Sequence, residues 1–195
     1  MALFITFLVI ALAPPTALAK DEFPVVKINT TQGDIYVELR PDKAPKTVAN
    51  FLRYVEEGHY NGTLFHRVMI DFMIQGGGFD LLFEEKPTHD PIELESANGL
   101  KNKRGTIAMA RTSEPNSATS QFFINVKKHN KELNYQKKKK GGEGYAVFGK
   151  VIRGMTVVDN ISRLKVGPGG HFETHVTKPL VAIEEITIVP PKEED

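Results

Sequence analysis

The sequence predicts a mainly β fold in which an antiparallel sheet closes into a barrel and two α-helices pack against it. Three observations lead to this prediction. Many short apolar runs are separated by turn residues, two stretches show helical periodicity, and strands and helices do not alternate as they do in parallel sheets. The 195 residues carry 25 Lys and Arg against 24 Asp and Glu, and this near-neutral balance fits one domain with a sizeable core.

The first 19 residues contain none of these charges, and they are predicted to be a secretory signal peptide. Their apolar run over residues 2–13 is too short for a bilayer core of about 30 Å, which needs about 20 residues. The small residues Ala17 and Ala19 then predict cleavage after Ala19. No Lys or Arg precedes this apolar run. The alternatives to a signal peptide are a buried N-terminal strand or a membrane anchor.

The predicted domain spans residues 24–190, ahead of a polar tail over residues 191–195, and it opens with a β-hairpin. Residues 25–29 and 35–39 alternate between apolar and polar side chains around a turn that contains Gly33. Further short apolar runs are predicted to form strands: Leu64–Met69, Phe72–Gln75, Gly105–Ala110, Gln121–Val126, Tyr145–Val151 and Val181–Val189.

Two segments have the periodicity of amphipathic helices. The first covers residues 44–57, where Pro45 suits the first helical turn and Gly58 follows the last one. The second covers residues 155–164 and is followed by the Gly-rich stretch 167–170, which ends it.

Three segments are expected to be loops. Residues 77–104 and 111–120 are too long for simple connectors, so we expect functional loops over the barrel face. Residues 127–140 hold seven Lys and one Glu, and they could bind an anionic partner or a membrane surface. Because the total charge is close to zero, a solvated hairpin loop is favoured there, and no nucleic-acid partner is expected.

Several chemistries are excluded or disfavoured by residue type. The absence of Cys excludes disulfides, Cys-based metal sites and thiol nucleophiles, and no G-x-S-x-G elbow is present. The segment Gly144–Val151 resembles a phosphate loop, but Val151 replaces the Ser or Thr, which favours a core strand. Gly76–Gly78 predicts a chain reversal. His171 and His175 have a metal-ligand spacing, but their Gly-rich surroundings favour solvated loop histidines.

An arginine inside an apolar strand candidate is the most informative residue. Arg67 is costly to bury without a partner, so it is either ion-paired or faces a site. His66, the preceding residue, lies on the opposite face of the strand and is interpreted as a core histidine whose hydrogen bonds are satisfied. Phe, Met and Gln side chains from segments 72–77, 107–111 and 120–125 would surround Arg67 with apolar walls and a few polar groups. Such a pocket suits binding, or a reaction that breaks no covalent bond.

In this order, the motifs FHRV, FMIQGG, MAR and SQFFIN resemble the cyclophilins, a family of peptidyl-prolyl cis/trans isomerases with an eight-stranded antiparallel barrel capped by two helices. The resemblance covers residues 25–189, and it is closest in style to the exported bacterial branch. With the signal peptide, it implies a periplasmic enzyme that assists folding of exported proteins, secretion being the second choice. It also implies that the enzyme needs no cofactor and no metal. The implied partners are proline-containing peptides and unfolded or partly folded proteins. The mature protein is expected to be a monomer without a membrane anchor.

The resemblance implies a role for each of ten residues. Arg67 takes the place of the catalytic arginine. The substrate-binding residues are Phe72, Met73, Gln75, Ala110, Arg111, Gln121, Phe123, Leu133 and Tyr145. Among these, the apolar side chains hold the proline ring, and the two glutamines and the Ala110–Arg111 edge bind the peptide backbone.

The chain departs from the family pattern at three places. Ile70-Asp71 stands where the family often has Pro-Gly, and the Lys-rich loop is longer than usual. Glu132 aligns with an aromatic residue of the family, so the sequence gives no reason to expect strong binding of the drug cyclosporin. A non-catalytic holdase that uses the same groove is the alternative function.

Overall fold

The structure is a computed structural model that describes residues 23–190. The predicted signal peptide and the polar tail lie outside these residues. The described chain forms eleven β-strands, two α-helices and a short 3-10 helix, Lys131–Leu133. The strands are β1 (Val25–Thr30), β2 (Gly33–Leu39), β3 (Thr63–Leu64), β4 (Arg67–Met69), β5 (Met73–Gly76), β6 (Thr106–Met109), β7 (Phe122–Asn125), β8 (Val147–Arg153), β9 (Lys165–Gly169), β10 (Phe172–Lys178) and β11 (Ala182–Val189). The helices are α1 (Pro45–Glu56) and α2 (Met155–Ser162).

Nine of the described strands form one antiparallel sheet in the order β3-β11-β1-β2-β8-β6-β7-β5-β4, and β9 pairs with β10 alone. This confirms the mainly β, antiparallel prediction with two helices. The predicted strand over 64–69 is wrong in detail: Phe65 and His66 interrupt it, so β3 pairs with β11 while β4 pairs with β5. The main sheet therefore has nine strands where eight are predicted. Full closure of this sheet into a barrel stays a prediction.

The predicted first hairpin is confirmed. Strands β1 and β2 pair in register from Val25 opposite Glu38 to Thr30 opposite Gly33. Every second side chain of this hairpin is buried, Ile28 and Val37 fully so, because successive side chains of a strand point to opposite faces of the sheet.

Both helices are confirmed within two residues of their predicted ends, and each packs an apolar stripe on the core. Helix α1 buries Val48, Phe51 and Val55, and α2 buries Val158 and Ile161. No helix within residues 23–190 is both long and apolar enough to span a membrane.

The central strands are covered on both faces, and this positions the site. Their inner side chains, such as Ile74 and Ile124, belong to the main core. Their outer side chains form a second, smaller cluster made of Met73, Ala108, Phe123 and Val147. Strands buried on both faces read as continuous apolar runs in a sequence, which explains the motifs FMIQGG and SQFFIN.

The long segment 77–104 supports the fold more than it borders the site. Its Glu95 carboxylate accepts hydrogen bonds from the backbone N–H groups of Lys46 at 3.1 Å and Thr47 at 2.8 Å. Ala44, the residue just before α1, has no side chain that could do this, so a remote loop caps the helix. Residues 77–104 are predicted to form a functional loop, and of these Leu100 packs against the cluster at the site. Glu95 instead stabilises the start of α1.

Two further expectations need correction. The Lys-rich segment 127–140 is exposed at all seven lysines, as predicted, but it is not a hairpin loop. It joins β7 to β8, which lie on opposite sides of β6, so the segment has to cross over that strand. The segment around His171 and His175 is predicted to be a solvated loop, and instead it forms the β9–β10 hairpin.

Candidate active site

A cavity of ≈ 360 Å³ opens on the outer face of the central strands. The residues that line it are Arg67, Phe72, Met73, Gln75, Ala110, Arg111, Phe123, Leu133 and Tyr145. The structure thus brings nine of the ten residues implied by the resemblance to one place. The tenth, Gln121, does not line the cavity, but its Oε1 accepts a hydrogen bond of 2.9 Å from the lining residue Gln75 through Nε2.

Strand register explains why distant segments meet at this cavity. Arg67 of β4 is paired with Gln75 of β5, Gln75 with Phe123 of β7, and Phe123 with Ala108 of β6. Because paired residues of neighbouring strands lie on the same face of a sheet, these four side chains form one row across the outer face.

Arg67 is half-buried and makes its contacts with neutral groups. Its Nη1 donates to Gln75 Oε1 at 3.1 Å, and its Nη2 lies 3.1 Å from Met69 Sδ. Among residues 23–190 no carboxylate forms an ion pair with it. Of the two alternatives left by the sequence, Arg67 therefore faces a site and is not a structural ion pair.

The apolar wall of the cavity combines nearly buried side chains with one held by a turn. Met73 and Phe123 are 2% and 4% exposed. Phe72 follows Asp71, which adopts φ of +54° in the turn between β4 and β5. Aspartate tolerates this left-handed conformation better than most residues, so Ile70-Asp71 forms the turn without the glycine that is common in the family.

The opposite wall holds a second arginine. The Arg111 guanidinium lies 4.8 Å from the centre of the Tyr145 ring, and that ring packs edge-on against Phe123. Arg111 Nε donates to the Gly144 carbonyl at 2.9 Å, and Nη1 donates to the Thr112 carbonyl at 2.8 Å. The side chain is thus fixed at the cavity edge by hydrogen bonds and by stacking.

Three buried asparagines behind the cavity were missed by the sequence analysis. Asn130 Nδ2 donates to the Phe72 carbonyl at 3.0 Å and to Asn125 Oδ1 at 2.7 Å. Asn125 Nδ2 donates to Asn102 Oδ1 at 3.0 Å, and Asn102 Nδ2 donates to the Leu133 carbonyl at 2.9 Å. This asparagine network links the two walls. Its one sequence signal is Asn125, a polar residue that ends the apolar run FFI.

His66 is buried as predicted, but it is not satisfied. Its Nδ1 has no hydrogen-bond partner within the described residues, and its ring stacks on Phe172 and meets Phe79 edge-on. Burial lowers the pKa of His66 to about 4, and the Arg67 charge acts in the same direction. His66 is therefore neutral near pH 7, and it lies outside the cavity lining.

The two histidines with metal-ligand spacing lie apart from this cavity. His171 stacks on Phe172 with ring centres 4.2 Å apart, and His175 lies in β10 with φ of +68°. Within residues 23–190 no group of three His, Cys, Asp or Glu residues is placed to hold a metal ion. The cavity itself combines an apolar wall with two cationic donors, and its lining offers no hydroxyl or thiol nucleophile apart from the Tyr145 phenol.

Comparisons with known proteins agree with this arrangement. Residues 25–188 match the family described as cyclophilin type peptidyl-prolyl cis-trans isomerase/CLD. Peptidyl-prolyl cis-trans isomerase cyp18 of Streptomyces antibioticus is 54% identical over 84% of this chain and 98% of its own length. Peptidyl-prolyl cis-trans isomerase B of Escherichia coli K12 is 51% identical over 84% of this chain and 99% of its own length.

A solved structure has the same fold. The crystal structure of a cyclophilin type peptidyl-prolyl cis-trans isomerase of Cryptosporidium parvum, determined in the presence of the dipeptide Ala-Pro, superposes with a TM-score of 0.67 at 29% identity. The match covers 86% of this chain and 99% of that one. With the family match over most of the chain and relatives above 50% identity, this chain belongs to the cyclophilin-type peptidyl-prolyl cis-trans isomerases.

Proposed function

We propose that the cavity accelerates rotation about Xaa-Pro peptide bonds, with Arg67 as the catalytic residue. One observation carries this assignment. Within residues 23–190 Arg67 has no carboxylate partner and stands beside the apolar wall of Phe72, Met73 and Phe123, so its charge is available to a substrate. In this proposal the proline ring packs on that wall while Arg67 donates to the prolyl nitrogen.

The chemistry suits these residues because amide rotation breaks resonance and no covalent bond. The barrier is about 18–20 kcal/mol, and the nitrogen lone pair becomes an acceptor only when the amide twists. A donor placed at that nitrogen therefore stabilises the transition state more than the planar ground state. One charge-assisted hydrogen bond contributes about 1.5–3 kcal/mol, so Arg67 needs help from the rest of the cavity.

That help comes from the apolar wall and from the polar row beside it. The twisted amide is less polar than the planar one, so a water-poor wall favours it. Gln75 is held by Arg67 on one side and by Gln121 on the other, and it can bind the peptide backbone next to the proline. One flank of the peptide is then held while the other rotates.

The proposed substrates are proline-containing segments of unfolded or partly folded proteins. The Cryptosporidium parvum relative was crystallised in the presence of Ala-Pro, which supports a proline-peptide site in this fold. The ≈ 360 Å³ cavity is large enough for a proline and parts of its neighbours, and it is open to solvent at its edge.

Exchange NMR on a proline peptide tests the enzymatic assignment. A catalytic amount of the purified chain should broaden the cis and trans resonances and raise the interconversion rate well above the uncatalysed one. A chain that suppresses aggregation of an unfolded protein without accelerating this exchange would instead support the holdase alternative.

We also propose that the protein is exported and acts in the periplasm on newly exported proteins. The support is the uncharged apolar run at residues 2–13 with the small residues Ala17 and Ala19 after it. N-terminal sequencing of the native protein together with cell fractionation tests this. A mature chain that begins at Lys20 in the periplasmic fraction agrees with the proposal, and an intact Met1 in the cytosol contradicts it.

A further inference from the structure

We infer that Arg111 makes this isomerase selective for proline segments that carry an acidic side chain next to the proline. The inference rests on the proposed function, because it names the substrate class of the same cavity. It goes beyond that function because isomerisation of a prolyl bond needs no charge on the substrate.

The first observation is the charge of the cavity lining. Arg67 and Arg111 both line the cavity, and none of the other seven lining residues is acidic. A concave site with two cationic groups and apolar walls attracts an anionic side chain of an entering peptide.

The second observation is that the Arg111 charge is fixed but not neutralised. Its hydrogen-bond acceptors are the backbone carbonyls of Gly144, Thr112 and Ser113, and its flat face lies against the Tyr145 ring. These partners orient the guanidinium without cancelling its charge. Within residues 23–190, no hydrogen bond is made by its Nη2.

The third observation concerns the carboxylates nearby in the chain. Glu114 and Glu143 lie within three residues of Arg111 or its partner Gly144, yet across the described part of the chain Arg111 forms no ion pair. The Lys-rich segment 127–140 contributes Leu133 to the cavity, and its seven lysines are exposed. A substrate carboxylate would therefore meet cations here.

The size of the effect follows from exposure. Arg111 is only half-buried, and ion pairs of this kind change an equilibrium by about two- to fivefold. We expect a Glu peptide to be turned over about two- to fivefold faster than the matched Gln peptide in kcat/KM at low salt, with the Lys peptide slowest. At 1 M salt the screening length shrinks to about 3 Å, so the ratio should approach one.

Exchange NMR without any coupling protease tests this with two peptide sets. One set has Glu, Gln or Lys directly before the proline, and the other has the same residues directly after it. A preference in either set supports the inference. Equal kcat/KM for the Glu and Gln peptides in both sets at low salt overturns it, whereas no turnover of any peptide contradicts the proposed function itself.

Three variants assign the preference to Arg111. Arg111→Gln should lower the Glu-to-Gln ratio to about one, and Arg111→Lys should retain part of it. A general loss of cavity geometry would slow both peptides equally and leave the ratio intact, so the ratio separates charge from structure. Arg153→Gln is the matched control, because Arg153 also lies on a tyrosine ring, that of Tyr36, but does not line the cavity. A ratio that persists in Arg111→Gln overturns the assignment.

Discussion

His66 shows at the scale of a single residue how the fold tolerates an unsatisfied polar group beside its proposed catalytic arginine. The ring packs between Phe79 and Phe172, and the nearby titratable groups are Arg67 and His171. Burial in this cluster, together with the Arg67 and His171 charges, lowers the pKa of His66 to about 4, so the ring is neutral in the folded protein near pH 7.

The depressed pKa of His66 predicts a loss of stability in acid. Above pH 7 the ring is neutral in both states. As the pH falls through about 6.5, the pKa of His66 in the unfolded chain, the unfolded chain binds a proton at His66. The folded protein, in which the pKa of His66 is about 4, does not yet bind it. We expect the free energy of unfolding to fall by about 2 kcal/mol between pH 7.5 and pH 5 through this residue.

Urea denaturation of the wild type and His66→Phe at both pH values measures this contribution. The variant keeps an aromatic ring in the cluster and removes the titration, so between pH 7.5 and pH 5 the wild type should lose about 2 kcal/mol more stability than the variant. Burial also lowers the pKa of His59, but His59 is common to both proteins and cancels in the comparison. Parallel pH dependences for the two proteins would contradict the prediction.

At the scale of elements, the asparagine network connects the two walls of the cavity by hydrogen bonds. Removing the Asn130 amide leaves the Phe72 carbonyl and Asn125 Oδ1 without one of their donors. Losing a buried hydrogen-bond partner costs about 1–3 kcal/mol, so Asn130→Ala should lower the free energy of unfolding by that amount. We also expect a higher KM with a smaller change in kcat, because Phe72 shapes the wall that binds the proline.

Asn50→Ala is the matched control for Asn130→Ala. Asn50 is likewise buried and donates to the Thr119 carbonyl at 2.7 Å, but it lies on α1 and does not line the cavity. It should destabilise the protein and leave KM unchanged. If the two variants change stability equally and neither changes KM, the network is structural and does not position Phe72.

The remote cap of α1 makes a second prediction at this scale. Glu95→Ala removes the acceptor for the first N–H groups of the helix and should cost about 1 kcal/mol in the free energy of unfolding. Glu93→Ala is the control, because its pair with Lys46 is exposed to solvent and should cost less than about 0.5 kcal/mol. Urea denaturation of both variants measures the difference, and equal costs would show that Glu95 does not cap the helix.

For the whole molecule, the sequence predicted what depends on local pattern. The period-two alternation of β1 and β2, the stripe of α1 with Pro45 and Gly58, and the fold class all follow from spacing alone. The identity of the cavity residues came from the family motifs, and the strand register then explains their meeting at one face.

The remaining features depend on contacts between distant segments, which no local pattern encodes. The crossover of residues 127–140 follows from the place of β6 between β7 and β8. Glu95 caps a helix whose first residues lie about 50 positions earlier in the chain, and Asn102 meets Asn125 and Leu133 only after folding. The predicted strand over residues 64–69 is divided at Phe65-His66 because β3 pairs with β11 whereas β4 pairs with β5.

The central claim is that Arg67 stabilises the twisted amide and not the bound ground state. Exchange NMR on Arg67→Ala and the wild type, with peptide affinity measured on the same samples, tests it directly. We predict that kcat/KM falls about 10- to 150-fold while the affinity for the peptide changes by less than about threefold. Turnover equal to that of the wild type, or a loss explained entirely by weaker peptide binding, would contradict the account.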